Sequence, residues 1–240
     1  MNPQVKKEHY FRKKYDDLNR FISYFYQIDL VRQLCDADLR INADQRIADK
    51  EYQQSASSAF YPQNPHHILE IGKGNGTVSD YLKKLGFRVT TCDFDESLEP
   101  DYVADIRKLP FSDNKFDGVL AYEILEHLPF EELPAALSEL RRVTKKYVFL
   151  SLPYRSTGFE FILKFPLIRS LCKKNFLDFF VRIPLKFGGL KSSGQHHWEI
   201  DGVKFPPRKL RRVFSGYFKI VKEFRPPLNY YHYFFVLEKL

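Results

Sequence analysis

Apolar positions change period several times along this chain, and the changes mark its elements. Tyr15, Leu18, Phe21, Ile22, Phe25, Ile28, Val31 and Leu34 recur at three- and four-residue steps, the signature of one face of a long helix. A weaker helical stretch covers 42–59 and ends in the Ser/Ala run before Tyr61-Pro62. Ile68-Leu69-Glu70-Ile71 is then a short strand-like run, broken by Gly72-Lys73-Gly74-Asn75-Gly76. Helical spacing returns with Val78, Tyr81, Leu82 and Leu85, Gly86 closes it, and Phe87–Cys92 alternates into a second strand ending at Asp93. Only eleven residues separate Asp93 from Asp105, so the next crossover helix is short or absent, and Tyr102–Asp105 reads as a third strand. Phe116–Ala121, Tyr147–Pro153, Tyr217–Phe224 and Tyr231–Leu237 supply four more strands, with helices at Glu131–Thr144 and Pro206–Ser215. Strands alternating with helices predict an α/β protein with a mostly parallel sheet. The last two strands, joined through Pro226-Pro227, predict a C-terminal antiparallel hairpin.

Residues 154–200 fit no single period. Phe, Leu and Ile there interleave with Lys164, Arg169, Lys173, Lys174, Arg182, Lys186 and Lys191. Pro166 and Pro184 divide the stretch into what reads as short helices. The organisation is therefore an N-terminal helical cap over 1–60 and an α/β domain over 61–240, carrying a basic, aromatic helical insertion at 154–200.

Composition narrows the class. With 44% hydrophobic residues, 23 Phe and 15 Tyr in 240 residues, the chain folds rather than staying disordered. Cys35, Cys92 and Cys172 have no metal or redox spacing, which suits reduced thiols in the cytoplasm. The N-terminal stretch lacks the apolar core of a signal peptide, and no run is long enough to span a membrane. The net charge of +8 hides an asymmetry: residues 1–140 hold 17 Lys/Arg against 24 Asp/Glu, and residues 141–225 hold 20 against 5. The second half calls for an anionic substrate or surface.

The glycines carry the first chemistry. Three at alternate positions let the backbone turn and approach a ligand closely, and the helix behind them opens with unpaired N–H groups. Asp93, 21 residues after Gly72, stands where a carboxylate accepts from ribose hydroxyls. Dinucleotide-binding domains want Gly-x-Gly-x-x-Gly, but Thr77 occupies the sixth position here. The run is instead Glu70-x-Gly72-x-Gly74-x-Gly76. It resembles the first motif of class I S-adenosylmethionine-dependent methyltransferases, of the type 11 kind. Glu70 would suit a cationic ligand and repel pyrophosphate. The resemblance extends over roughly 67–153 and includes Leu125-Glu126-His127-Leu128 after the fourth strand.

The resemblance implies a Rossmann-like three-layer sandwich with a seven-stranded sheet, S-adenosyl-L-methionine as cofactor, and methyl transfer as the reaction. The cofactor-binding set it implies is Glu70, Gly72, Gly74, Gly76, Asp93, Phe94, Asp105, Ile106 and Tyr122. Phe94 would stack on adenine, Asp105 would accept from its amino group, and the Ile106 N–H would meet the ring. His127 is the best-placed catalytic base, ahead of His196, His197 and Glu199. The adjacent histidines lack metal-ligand spacing, so no metal is expected. The acceptor is expected to be an anionic or lipid-linked small molecule, with peripheral contact to a membrane surface. Arg155, Arg169, Arg182, Arg208, Arg211 and Arg212 are the Arg candidates for holding it. A nucleic-acid acceptor and a non-catalytic cofactor-binding scaffold are the alternatives. Ala121-Tyr122-Glu123-Ile124 stands where base-amino methyltransferases carry Asn/Asp-Pro-Pro-Tyr/Phe, which weighs against the former.

Overall fold

The computed structural model describes residues 7–11, 17–47, 66–155, 158–165, 176–182, 196–201 and 203–240, with side chains of 34–47 and 182 left aside. In chain order the helices are α1 (Lys7–Tyr10), α2 (Leu18–Ile47), α3 (Thr77–Lys84), α4 (Leu133–Val143) and α5 (Pro207–Phe214). The strands are β1 (His67–Ile71), β2 (Arg88–Asp93), β3 (Tyr102–Val103), β4 (Phe116–Tyr122), β5 (Thr144–Pro153), β6 (Gly158–Leu163), β7 (Leu177–Arg182), β8 (Phe218–Phe224) and β9 (His232–Lys239). Seven of them form one sheet in the order β3-β2-β1-β4-β5-β9-β8. The first five run parallel, and β9 enters antiparallel between β5 and β8. The predicted sheet and its antiparallel end are both present.

The period-2 alternation of each strand divides the core into two layers. Ile68, Leu120, Phe149 and Phe234 face one way and meet Val78 and Leu82 of α3 with Leu30 and Val31 of α2. Their neighbours Leu69, Val119, Val148 and Phe235 face the other way, against Leu133, Leu137 and Leu140 of α4 and Leu210 and Phe214 of α5. All but Val78 and Leu30 of these are fully buried or nearly so, each contributing about 1.5–3 kcal/mol of burial relative to exposure. Helices on both faces of the sheet make the three layers.

Two expectations need correction. The stretch at 154–200 is not helical where it is described: β6 and β7 form a separate antiparallel hairpin, with Phe161 opposite Phe179. Phe159, Phe161 and Leu163 alternate along one strand, and Phe179 and Val181 along the other. Aromatic and β-branched residues at period two favour a pleated strand, and the prolines lie outside both strands. Residues 156–157, 166–175 and 183–195 lie outside the described residues. Likewise, α2 passes position 42 unbroken to Ile47, and positions 48–59 of the expected second helix lie outside the described residues. The short second crossover is present as a single turn at Glu96–Leu98, capped by the Asp95 carboxylate. No described helix is long and apolar enough to cross a membrane.

Candidate functional site

Strand order reverses between β1 and β4, so the loops leaving their C-terminal ends diverge and open a crevice. A cavity of about 570 Å³ fills it. Glu70, Gly72, Gly74, Asp93, Phe94, Asp105, Ile106, Tyr122 and His127 all line it. Gly76 does not. It sits at φ 78° as the residue before α3 and turns the chain into that helix.

The glycine corner is shaped by sterics. Gly72 and Gly74 have φ of 82° and 53°, the left-handed region where a side chain is strained. A Cβ on Gly72 would lie 2.0 Å from the Ile124 Cδ1, so the first glycine is also needed for packing of the β4 loop. A Cβ on Gly74 would meet nothing closer than the Tyr10 ring at 3.7 Å, so room remains beside it. Asp93 at the end of β2 is nearly buried. Burial raises its carboxyl, against N–H groups of Asp95, Lys73 and Gly74 that favour the charge. Glu70 is also buried, its Oε2 without a hydrogen-bond partner among the described residues. Desolvation pushes its carboxyl up to about 8.

The N-terminal segment closes this corner. His9, Tyr10, Arg20, Tyr24 and Gln27 line the cavity. The Tyr24 hydroxyl donates to Asn75 Oδ1 at 3.3 Å, and the Tyr122 hydroxyl to the Gln27 carbonyl at 3.1 Å. Tyr26, another aromatic of α2, instead packs edge-on against Phe224. Asp105 lines the cavity but is already engaged: Arg107 forks onto it with Nε at 2.9 Å and also pairs with Glu132. That pairing holds Asp105 below its ordinary carboxyl value.

At the far end the chain gathers ionisable side chains from three segments. Glu123 follows β4 in the left-handed region, φ 56°, strained for a non-glycine residue and typical of functional corners. Its Oε2 lies 3.3 Å from His232 Nε2 on β9. Burial works to raise its carboxyl, and His232, Ser151 and Arg20 together outweigh burial, leaving it below the ordinary value. Glu126 and His127 occupy the turn Leu125–His127. Glu126 is fully buried, and desolvation, reinforced by Glu123 and Glu199, pushes its carboxyl well up. The loop around Trp198 returns here because its indole donates to the Leu128 carbonyl at 3.0 Å and the His197 N–H to the Glu126 carbonyl at 2.9 Å. His196 therefore stacks edge-on against His127, ring centroids 4.9 Å apart. Its Nδ1 is 2.8 Å from Glu199, which also accepts from Arg155 Nε at 3.1 Å.

Sequence reasoning ranked His196 and Glu199 below His127 and missed Glu126 and His232. No spacing signal joins Glu126 to His196, seventy residues on, or Glu123 to His232, more than a hundred residues on. Among the described residues no Lys or Arg of the basic half lines the cavity, Arg155 is held by Glu199, and Arg211 by Glu223. Among the described residues, the far end of the cavity is acidic and imidazole-rich, with Glu123, His127, His196, His197 and His232.

A Rossmann-like sheet with a glycine corner, a strand-end acid and a roomy crevice at the strand reversal is a nucleoside-binding α/β domain. Residues 69–152 match the family described as "Methyltransferase domain". The uncharacterized methyltransferase YodH of Bacillus subtilis (strain 168) is 32% identical over 133 residues, 50% of this chain and 53% of that protein. The chain thus spans about half the length of that relative. Ribosomal RNA small subunit methyltransferase A of Baumannia cicadellinicola subsp. Homalodisca coagulata is 24% identical over 220 residues, 85% of this chain and 73% of that protein. Magnesium protoporphyrin IX methyltransferase (ChlM) from Synechocystis PCC 6803, solved with bound SAM, shares the fold with a TM-score of 0.56 at 15% identity, covering 99% of this chain and 93% of that one. Residues 69–152 are thus similar to a methyltransferase domain, and the fold is one that S-adenosylmethionine-binding methyltransferases share.

Proposed function

We propose that this protein transfers a methyl group from S-adenosyl-L-methionine to a proton-bearing group, a hydroxyl or amine, of a small-molecule acceptor. The carrying observation is that one cavity joins the glycine corner and Asp93 to His127 and His196, behind which Glu126 is buried. The residues present fit the cofactor. Glu70 offers a buried carboxylate oxygen with no partner among the described residues, Gly74 leaves open space, and Asp93 presents a carboxylate. Glu70 would meet the ammonium end, Asp93 the ribose, Phe94 and Ile106 the adenine, and Tyr122 the cavity wall between β4 and α2. When bound, the cofactor supplies a methyl group on a positively charged sulfur, so the protein's work is alignment and exclusion of water. His127 is the residue we assign to acceptor activation, whether by taking a proton or by helping to lower the acceptor's pKa. Asp105, oriented by Arg107, keeps further lone pairs with which to accept from the adenine amino group.

We infer that the acceptor's reacting end is neutral, since the far end of the cavity carries Glu123, whose carboxyl is held below the ordinary value. An anionic or lipid-linked remainder would lie on the basic surface outside. The hairpin of β6 and β7 supports contact with a membrane surface: Phe159, Phe161, Phe179 and Val181 are each more than half exposed in a stretch rich in Lys and Arg. We place the activity in the cytoplasm, where a thiol such as the buried Cys92 stays reduced. The test is to incubate a lysate with the protein and methyl-labelled cofactor. Label entering the lipid or small-molecule fraction supports the reading. Label in nucleic acid contradicts it and favours the second reading, an RNA methyltransferase, which draws on the likeness to the Baumannia protein and on the basic half. A steeply salt-dependent RNA gel shift would separate the two.

A further inference from the structure

The turn at Leu125–His127 and the docked loop at 196–199 bring three side chains with ligating atoms together. One coordinating atom from each of Glu126, His127 and His196 lies within 4.8 Å of the others. Glu126 is the informative member. It is 0% exposed, and neither of its carboxylate oxygens has a hydrogen-bond partner among the described residues. A buried carboxyl with no donor costs several kcal/mol in order of magnitude, and such groups in folded proteins are ordinarily satisfied. Arg155, just past β5, is held by Glu199.

His196 is the second informative member. Its Nδ1 is held by the Glu199 carboxylate at 2.8 Å, and Glu199 is fixed in turn by Arg155. A carboxylate behind one imidazole nitrogen sets the ring's orientation and tautomer and directs the other nitrogen to a metal, the usual outer arrangement of a histidine ligand.

We propose that Glu126, His127 and His196 form a binding site for one divalent transition-metal ion, zinc or iron(II) in class, with its open positions toward the cavity. Two imidazole nitrogens and one carboxylate favour these ions over magnesium or calcium, which want oxygen ligands throughout. Bonds of about 2.1 Å in a tetrahedral site put ligand atoms ~3.4 Å apart, so side-chain rotation of about an ångström closes the cluster. The ion supplies the partner that the Glu126 oxygens lack. Its chemical use rests on the methyl-transfer reading: an acceptor oxygen taken at an open position loses its proton more readily. His127 then activates the acceptor as a ligand. The sequence argued against a metal because His196 and His197 are adjacent; here the partners come from a turn some seventy residues earlier.

The test uses the untagged full chain, stripped with a chelator and titrated with cobalt(II) alone and zinc(II) alone. Calorimetry gives stoichiometry and affinity, and visible absorption reports the cobalt ligand field. One ion per chain and visible cobalt bands are expected. His196→Ala and Glu126→Gln should each weaken binding at least tenfold, and Glu199→Gln about 10–100-fold as an outer-shell change. Cofactor affinity, measured on every variant, certifies the fold. Wild-type protein that binds S-adenosylmethionine but shows no cobalt bands overturns the metal site and leaves the methyltransferase reading standing. Cobalt binding unchanged in both His127→Ala and His196→Ala also overturns it. Wild-type protein that binds cobalt as expected but no S-adenosylmethionine supports the site and overturns the methyltransferase reading instead.

Discussion

Replacing Glu70 by Gln separates what this residue costs the fold from what it contributes to binding. Burial raises its carboxyl from 4.5 to about 8, opposed only in part by a hydrogen bond from Ser79. An acid whose folded pKa is raised stabilises the fold fully only below its unfolded value. That stability is lost as pH climbs from about 4.5 to about 8 and stays lost above it. At 1.36 kcal/mol per unit, Glu70 costs the unliganded protein at most about 3 kcal/mol at pH 7 and about 5 kcal/mol above pH 8. Gln keeps the shape of the neutral acid and does not titrate. Glu70→Gln should therefore match wild type near pH 5 and exceed it increasingly toward pH 8, by urea unfolding of the cofactor-free protein at several pH values. The same substitution removes the carboxylate proposed to face the cofactor's ammonium, so affinity should fall by roughly tenfold, one charge-assisted hydrogen bond. A stability difference that is the same at every pH, or a variant that is more stable yet binds the cofactor as tightly as wild type, would refute this reasoning.

Three further outcomes follow from particular contacts. Gly72→Ala sets a Cβ at 2.0 Å from Ile124 Cδ1 at a φ of 82°, so it should cost about 1–3 kcal/mol or more; Ile124→Ala in the same chain should recover the steric part alone, in urea midpoints. Trp198→Phe leaves the buried Leu128 carbonyl without its indole donor, a loss of about 1–3 kcal/mol in thermal unfolding; an unchanged midpoint would show that the loop is not anchored there. Phe159→Ser with Phe179→Ser removes exposed rings, so stability should move by no more than about 0.5 kcal/mol per site, whereas sedimentation with anionic lipid vesicles should drop severalfold. Equal sedimentation of variant and wild type would remove the membrane-contact reading.

The sheet was legible because each of its central strands announces itself twice, by alternation and by a flanking turn. Ile68 and Leu69 go to opposite faces as their neighbours in sequence must, and the glycine run marks where the first strand ends. The hairpin of β6 and β7 was not legible, because Phe159, Phe161 and Leu163 sit in a stretch apolar at nearly every position, where periods of two and 3.6 both find matches. The cofactor corner is a local motif, and its residues reached the cavity except Gly76, whose role is to start α3. The pairing of Asp105 with Arg107, two residues on, was open to a reader who weighed short-range charge before function. The far cluster was only partly legible: His127, His196 and Glu199 stood out as candidates, but Glu126 meets His196 only once the Trp198 loop is docked, and Glu123 meets His232 only once β9 is in place.

The most direct test of the central claim is calorimetric titration of the wild-type chain and Asp93→Ala with S-adenosylmethionine, with a nicotinamide dinucleotide as the control ligand. One site in the wild type, affinity reduced about a hundredfold in the variant through loss of two hydrogen bonds to a charged group, and no heat from the dinucleotide are the results expected here. Binding of the dinucleotide in place of the sulfonium nucleoside, or an affinity indifferent to Asp93, would contradict the account.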